Sequence, residues 1–597
     1  MSLLRVEWSC HGLLAVIGLC MASGVFAPAA PAVPNWKAQP GKDFPLAGGN
    51  YSNQRYSALD EINIANIQKL GGAWSMHVDE TRQGGFTSLD ATPIVVDGVM
   101  YVTTGKQNVL AIDAKTGKLK WRYRPDSEVR TGGNKGVVVA EGKVFFGRRD
   151  NMLTALDEQT GQLVWQTLLT PQRPTYTSAA PVYYDGLLFI GTAGGDAGAR
   201  GQMGAYDVKT GKEVWRFSTV PAPRERFGDT WEGDSYKYGG GGVWNHVALD
   251  PDLGMVYFGV GNAAPSTFGS QRGGDNLFTA SVVALDLRTG AYKWHFQEVH
   301  HDIWDHDAAS PPVLADITYH GRARKIIMHP GKTGFLYILD RTNGKPLIGI
   351  EEKPVPQERR MKTAKTQPFP IGDAFVPLCA EPLQDYERGC LFSAYWERPI
   401  LIFPGSSGGN AWAPMTFSPK TNLAYVPANV MSSIFTAESA VFDEAARGFT
   451  RAGGGRGSAF FRPAGAQRSG TLTAMDPATN KIVWQKKTRF PIGTGSGLLS
   501  TAGGLLFHGE SDGTLVAYDI NNGNELWKFQ TGAGANGPVS TFDVNGEQYV
   551  AVLSGGNNIL LSARGDWLWA FKLGGTVPEA PAPREPPLIH PAPSRGN

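Results

Sequence analysis

The chain has 597 residues, with 56 Lys and Arg against 54 Asp and Glu, a formal net charge of +2 at pH 7. That balance excludes the strong basic patch that nucleic-acid binding requires. Charged residues are only 18%, while 75 Gly and 40 Pro supply many tight turns, which favours a β-rich fold.

At the N-terminus, Arg5 precedes an apolar run from Leu13 to Phe26, and Ala27 and Ala29 are spaced like a cleavage site. The run is short for a membrane span of ~20 residues. A cleaved export signal over residues 1–32 is therefore expected rather than an anchor, with a soluble periplasmic product and no transmembrane segment in the mature chain. Cys10 and Cys20 would leave with the signal. Cys379 and Cys390 remain in LCAEPLQDYERGC, and an oxidising compartment predicts a disulfide between them. No C-x-x-C-H occurs, so no c-type haem is attached to this chain.

One segment then recurs: Ala, a bulky residue, Asp, two variable residues, Thr-Gly, three more, Trp. It reads AIDAKTGKLKW (Ala111–Trp121), ALDEQTGQLVW (Ala155–Trp165), AYDVKTGKEVW (Ala205–Trp215) and ALDLRTGAYKW (Ala284–Trp294). It returns as AMDPATNKIVW (Ala474–Trp484) and AYDINNGNELW (Ala517–Trp527), with YILDRTNGK (Tyr337–Lys345) a copy lacking the Trp. Each copy makes sense as two strands joined by a turn, because Asp and Thr-Gly or Asn-Gly supply turn chemistry. Flanking runs such as ATPIVVDGVMYVTT read as strand, Asp-Gly hairpin, strand. Four short strands per unit of about 45 residues point to propeller blades. The fold class expected is all-β, an eight-bladed β-propeller over residues 33–576. Leu568–Leu573 would pair with an early strand and close the ring. The recurring Trp residues are expected to pack between blades. The Pro- and Ala-rich segment 577–597 reads as a disordered tail, and residues 430–470 as a long surface loop.

A propeller by itself says little about activity. The informative residues break the repeat. HHDIWDHDAASPP (His300–Pro312) places Asp302, Asp305 and Asp307 around Trp304. Carboxylates two apart on a loop can turn toward one cation. The same pattern alone suits a solvated acidic turn equally well.

From NQRYSALDEINIANIQKLGGAW (Asn53–Trp74) to GEQYVAVLSGG (Gly546–Gly556), the chain resembles the quinoprotein dehydrogenases that use pyrroloquinoline quinone. HHDIWDHD, LADI (Leu314–Ile317), PGKTG (Pro330–Gly334) and EKPVPQ (Glu352–Gln357) look most like the branch with glucose, polyol and quinate dehydrogenases, whose N-terminal membrane helices are absent here. The resemblance implies roles by position. Asp305 would be the general base and lie near a metal; Asn262 would ligate it, and Asp307 is a further candidate ligand. Asp196 falls where the family has a metal-binding Glu, one methylene longer. Trp244 would floor the quinone ring, and Lys332 would be the cation at its carbonyls. Asp90, Lys135 and Ser178 fall at cofactor-contacting positions where many members have Glu, Arg and Thr. The paired Cys of many alcohol-oxidising members are missing near Val129 and Arg130, and Ala411 precedes Trp412 where the family has Asn-Trp.

The implied activity is oxidation of an alcohol, polyol or sugar hydroxyl. The implied metal is Ca2+, with Mg2+ or a lanthanide as alternatives. Electrons would pass to an external acceptor, a soluble cytochrome c or a membrane quinone. The rival readings are a non-enzymatic propeller acting as an envelope scaffold, and a degenerate member that no longer binds the cofactor.

Overall fold

The computed structural model describes residues 35–78, 88–126, 129–172, 174–383, 385–437, 440–443, 448–451 and 462–589. The expected signal segment, with Arg5, Cys10 and Cys20, lies outside them. The unit Trp36–Asn597 holds the described architecture. Among the described residues no helix is long and apolar enough to cross a membrane.

Most strands form antiparallel sheets that follow one another along the chain, with Tyr56–Ser57 added in parallel to Leu499–Thr501. The first is Ile94–Val96, Val99–Thr103, Val109–Asp113 and Leu119–Tyr123; the second and third run from Val138 to Leu168 and from Val182 to Ser218. The fourth spans Ala248–Gln297 and the three-stranded fifth Val313–Asp340. The sixth is Thr416–Ser418, Leu423–Val430, Ser469–Asp476 and Lys481–Thr488, and the seventh spans Leu499–Gln530. The last joins Ser540–Val544, Glu547–Ser554 and Trp567–Leu573 to Leu70–His77, which pairs antiparallel with Trp567–Leu573 as expected. The fifth sheet is the one whose repeat lacks Trp, and it lacks a fourth strand.

The repeat owes its form to two contacts. In the first four copies the Asp carboxylate accepts from the Thr amide and hydroxyl, as Asp113 does from Thr116 at 2.8 and 2.7 Å, and Asp519 instead accepts from Asn521 N at 2.9 Å. Between sheets, Trp74, Trp121, Trp165, Trp215, Trp294 and Trp484 each lie on a turn glycine of a neighbouring sheet, whereas Trp527 donates to Leu70 O. A Cβ on Gly117 would fall 2.7 Å from the Trp74 ring, and one on Gly344 2.5 Å from Trp294. Several indole N–H groups then donate to the carbonyl after the neighbouring sheet's Asp: Trp121 to Glu158 at 2.9 Å, Trp215 to Leu287 at 3.1 Å, Trp294 to Arg341 at 3.1 Å. Only glycine fits, because the turn needs positive φ and the ring occupies the Cβ position. Burying each indole stabilises by roughly 2–3 kcal/mol.

Antiparallel order sorts the connections. Hairpins between first and second, and third and fourth, strands lie at one end of each sheet. The loops entering each first strand, and those joining second to third, lie at the other. The N-terminal segment runs along the first strands: Phe44 bridges Val95, and the carbonyls of Lys42, Tyr51, Ser52, Gln54 and Arg55 accept from Asp543, Leu249, Leu314, Phe417 and Ser500. Arg55 is fully buried, donating to the carbonyls of Leu498, Ala47 and Val539, and burial lowers it to about 9.

Cys379 and Cys390 form the expected disulfide. Two expectations change. The segment after Val577 is packed as far as Ile589: Val577 bridges Gly72, Ile589 bridges Gln467, Glu579 accepts from Gln530 N at 3.0 Å, and Glu585 pairs with Arg489. Backbone pairing and charge hold a segment whose composition suggested disorder; residues 590–597 lie outside the described set. Within 430–470, Ser433–Phe435 pairs with Ile400–Ile402, and Ala440–Asp443 with Gly448–Arg451.

Candidate active site

The site residues come from one end of the sheets. Asp90, Lys135, Ser178, Trp244, Asp305, Asp307 and Trp412 sit on loops entering first strands; Asp196, Asn262 and Lys332 sit on second-to-third connections.

The loop after the fourth sheet is gripped at almost every residue. Asp302 Oδ1 and Oδ2 accept the amides of Trp304 and His306, both at 2.9 Å, and its carbonyl accepts from buried Arg272. His301 bridges the carbonyls of Gly274 and Met361 at 2.7 Å each, and Trp304 Nε1 donates to Ser393 O at 2.9 Å. Burial raises Asp302 to about 6 against its two amide donors. Its carboxylate therefore shapes the loop and does not join Asp305 and Asp307 at a shared cation. The resulting turn gives Asp305 φ 64° and holds it beside Lys332.

Lys332 Nζ lies 2.8 Å from Asp307 Oδ1 and 3.2 Å from Asp305 Oδ2, and donates to Asp305 O at 2.5 Å. All three side chains are buried. Burial raises Asp305 well above the usual carboxylate range; Lys332 opposes this, while Asp196 and Asp307 reinforce it. Burial opposes charge on Lys332, but the two carboxylates outweigh it and hold its pKa above the ordinary value. Trp244 Nε1 donates to Asp307 Oδ2 at 3.0 Å. Asn262 is next in chain to Gly261, where a Cβ would lie 3.0 Å from that same oxygen. Its amide nitrogen donates to Ala263 O at 3.0 Å, which leaves its side-chain oxygen to serve a ligand. Asp196 lies exposed in the turn Gly195–Ala197, its charge felt at Asp305.

Among the described residues no three His, Cys, Asp or Glu side chains gather as a metal cluster. The oxygen set is Asp305 and Asp307 with the Asn262 amide, two carboxylates against one ammonium. Hard cations take such oxygens, so the residues fit a metal ion.

Lys135 Nζ is 4.8 Å from the ring centroid of Trp244 and 4.8 Å from that of Trp412. Burial and Arg149 lower it to about 8, against Asp90. Asp90 is raised by burial, accepts from Ser88 Oγ at 3.0 Å and also bonds Asn557. Ser178 Oγ donates to Trp244 O at 3.2 Å, so its hydroxyl steadies the Trp244 loop. Two indole faces beside a buried ammonium suit a flat polycarboxylate; the residues fit pyrroloquinoline quinone. Arg149 and Asn557 were not singled out from the sequence. They lie outside the repeat, on connections that only sheet order brings together.

The family model described as PQQ: Glucose/ethanol/alcohol dehydrogenase, beta-propeller domain, matches residues 44–550. The quinohemoprotein alcohol dehydrogenase of Comamonas testosteroni is 37% identical over 555 residues, covering 87% of this chain and 74% of that relative. Its crystal structure superimposes with a TM-score of 0.75 at 32% identity, covering 91% and 82%. A europium-containing methanol dehydrogenase gives a TM-score of 0.75 at 27% identity, covering 90% and 99%. These relatives are alcohol dehydrogenases, and the description of the matching family model names glucose as well as ethanol and alcohol dehydrogenases. The chain belongs to the pyrroloquinoline-quinone-dependent quinoprotein alcohol dehydrogenases, β-propeller oxidoreductases acting on CH–OH donors.

Proposed function

We propose that this chain is an exported, periplasmic dehydrogenase that oxidises an alcohol, polyol or sugar hydroxyl to a carbonyl. It uses pyrroloquinoline quinone and a metal ion, Ca2+ ahead of Mg2+ or a lanthanide, and passes electrons to an external acceptor, a soluble cytochrome c or a membrane quinone. Its sheets are blades of an eight-bladed propeller; the pairing of Leu70–His77 with Trp567–Leu573 supports ring closure by the two ends of the chain. The observation that carries the reading is the buried triad of Asp305, Lys332 and Asp307, set beside Trp244.

Asp305 takes the substrate hydroxyl proton on its carboxylate. A buried carboxylate beside Lys332 is placed to accept that proton. Lys332 steadies the Asp305 main chain and supplies positive charge where negative charge develops. Asp307 and Asn262, with Asp305 and, through a water, Asp196, would hold the metal. Trp244 and Lys135 would seat the cofactor, with Asp90 and Ser178 behind them. When bound, the quinone supplies the two-electron acceptor and the metal a Lewis acid. The europium-containing relative supports testing lanthanides alongside calcium.

Binding of pyrroloquinoline quinone to the purified protein with Ca2+, Mg2+ or La3+, followed by calorimetry, tests the reading. Metal-dependent binding is expected. No binding with any metal would instead mark a degenerate member. N-terminal sequencing of the exported protein tests cleavage near residue 32.

A further inference from the structure

Tyr123, Phe217, Phe296 and Phe529 each follow a recurring Trp by two residues and put a ring between neighbouring sheets. Tyr123 meets Phe146 with centroids 5.8 Å apart, and Phe529 meets Trp569 at 5.3 Å. Thr167 and Lys486 take that position after Trp165 and Trp484. Beside Lys486, between the sixth and seventh sheets, lies a cavity of about 400 Å³. Its walls come from Lys481–Thr488 of the sixth sheet and from Thr514–Asp519 and Glu525–Gln530 of the seventh. Val516 and Tyr518 give it an apolar side, and the Tyr518 ring stacks on His508 at 5.3 Å.

Glu510 lines this cavity from the second-to-third connection of the seventh sheet. Its counterpart in the second sheet is Arg148, which also follows the glycine that ends a second strand. Arg148 donates to the Tyr123 hydroxyl at 3.2 Å and pairs with Asp150 at 2.5 Å. Lys486 and Glu510 replace the ring and the guanidinium, so that arrangement is lost. Glu510 is only 9% exposed, and among the described residues no donor hydrogen-bonds or pairs with its carboxyl. The cations nearby are engaged: Lys486 Nζ donates to Asn524 Oδ1 at 3.2 Å, and Lys528 pairs with Glu525 at 3.5 Å. Arg489 pairs with Glu585 and, at 3.9 Å, with Asp512. Arg489 and Lys528 act on Glu510 through space, but each more weakly than Asp512 or Glu525, and burial with these two carboxylates raises it to about 8. His508, lowered to about 4 by burial, adds no charge near neutral pH.

A buried carboxyl without a partner carries a free-energy cost that a matched donor removes. Carboxylates dominate the field at Glu510, so the matched ligand is a cation. Among the described residues no three His, Cys, Asp or Glu side chains gather as a metal cluster. An ammonium needs only one carboxylate, and an attached alkyl chain has Val516 and the Tyr518 ring to lie against.

We propose that the cavity between the sixth and seventh sheets is a binding site for a small primary alkylammonium, with Glu510 as the carboxylate that receives its N–H groups. The site shares no residue with the quinone and metal set, and the proposal stands independently of the dehydrogenase reading.

Calorimetric titration of the purified protein, without quinone or metal, with propylammonium chloride tests it. One molecule should bind with a Kd of about 1 mM or below at about pH 8. Binding displaces the Glu510 proton, so affinity should rise by up to about tenfold per pH unit from about pH 6 and level off above about 8. Glu510→Gln should weaken binding at least about tenfold and remove that pH dependence. Lys486→Phe keeps Glu510 but fills the cavity with the ring found between other sheets, and should weaken binding at least as much. Tetramethylammonium has no N–H and should bind at least about tenfold more weakly than propylammonium. Absence of wild-type binding up to about 50 mM propylammonium overturns the proposal. So does binding that is unchanged in Glu510→Gln, or equal affinity for tetramethylammonium. If Glu510→Gln does not fold, Lys486→Phe decides, and binding that survives the filled cavity overturns the assignment.

Discussion

The Trp244 indole N–H donates to Asp307 Oδ2 at 3.0 Å, which ties the aromatic floor of the site to the carboxylate loop of the next sheet. Trp244→Phe keeps a flat face and removes the donor. Quinone affinity, measured by calorimetry in the presence of Ca2+, should fall about tenfold, as expected for a hydrogen bond to a charged group. Trp244→Ala also loses the stacking surface and should fall about a hundredfold or more. Equal effects of the two substitutions would contradict a role for the indole nitrogen.

Lys332 is the counter-ion of two buried carboxylates. Lys332→Met leaves both without a cation and should destabilise the metal-free protein by about 3–5 kcal/mol in denaturant unfolding. Lys332→Arg should lose much less. Added Ca2+ should restore part of the stability of Lys332→Met, since a bound cation replaces the missing charge.

The contact between Trp294 and Gly344 sets up a controlled comparison. Gly344 and Gly254 have similar positive φ values, 75° and 64°, but a Cβ at Gly254 meets nothing within 4 Å, whereas one at Gly344 falls 2.5 Å from the indole. Gly254→Ala should cost about 1 kcal/mol, from backbone strain alone. Gly344→Ala should cost roughly 1–3 kcal/mol more, by displacing Trp294. Matching losses in thermal unfolding would mean that the ring does not rest on the glycine.

Glu510, 9% exposed, gives a pH signature away from the site. Burial raises it from 4.5 to about 8, and Asp512 and Glu525 add to the shift. The folded state holds this proton more tightly than the unfolded state does. Its contribution is therefore complete below about 4.5 and is lost as pH rises through about 8. Glu510→Gln cannot ionise, so its stability relative to the wild type should rise by roughly 2–4 kcal/mol between these limits. Denaturant unfolding at both ends of the range checks this. A difference that stays constant with pH would show that Glu510 ionises normally.

What could be read from the chain was what local chemistry decides. Asp-x-x-Thr-Gly specifies a turn through bonds within four residues, so the strands and inter-sheet Trp were legible. Trp244, Asn262, Asp305 and Lys332 stood out because they break the repeat and match a family pattern. Side-chain direction was not legible: Asp302 reads as a third carboxylate for a cation, yet it folds back onto the amides of Trp304 and His306. Arg149 and Asn557 were invisible for another reason, since each depends on which connections share an end of the fold. The segment 577–589 was misjudged because Pro and Ala suggest disorder, whereas its order comes from distant partners, Gly72, Gln467 and Arg489.

The most direct test compares dye reduction by wild type and Asp305→Ala, each purified without cofactor and supplied with pyrroloquinoline quinone and Ca2+ or La3+ across a panel of alcohols, sugars and hydroxy acids. The account predicts turnover by the wild type that needs both quinone and metal. It also predicts loss of that turnover by at least about a thousandfold in a folded Asp305→Ala that still binds quinone. Undiminished turnover in Asp305→Ala, or turnover by the wild type without quinone, would contradict it.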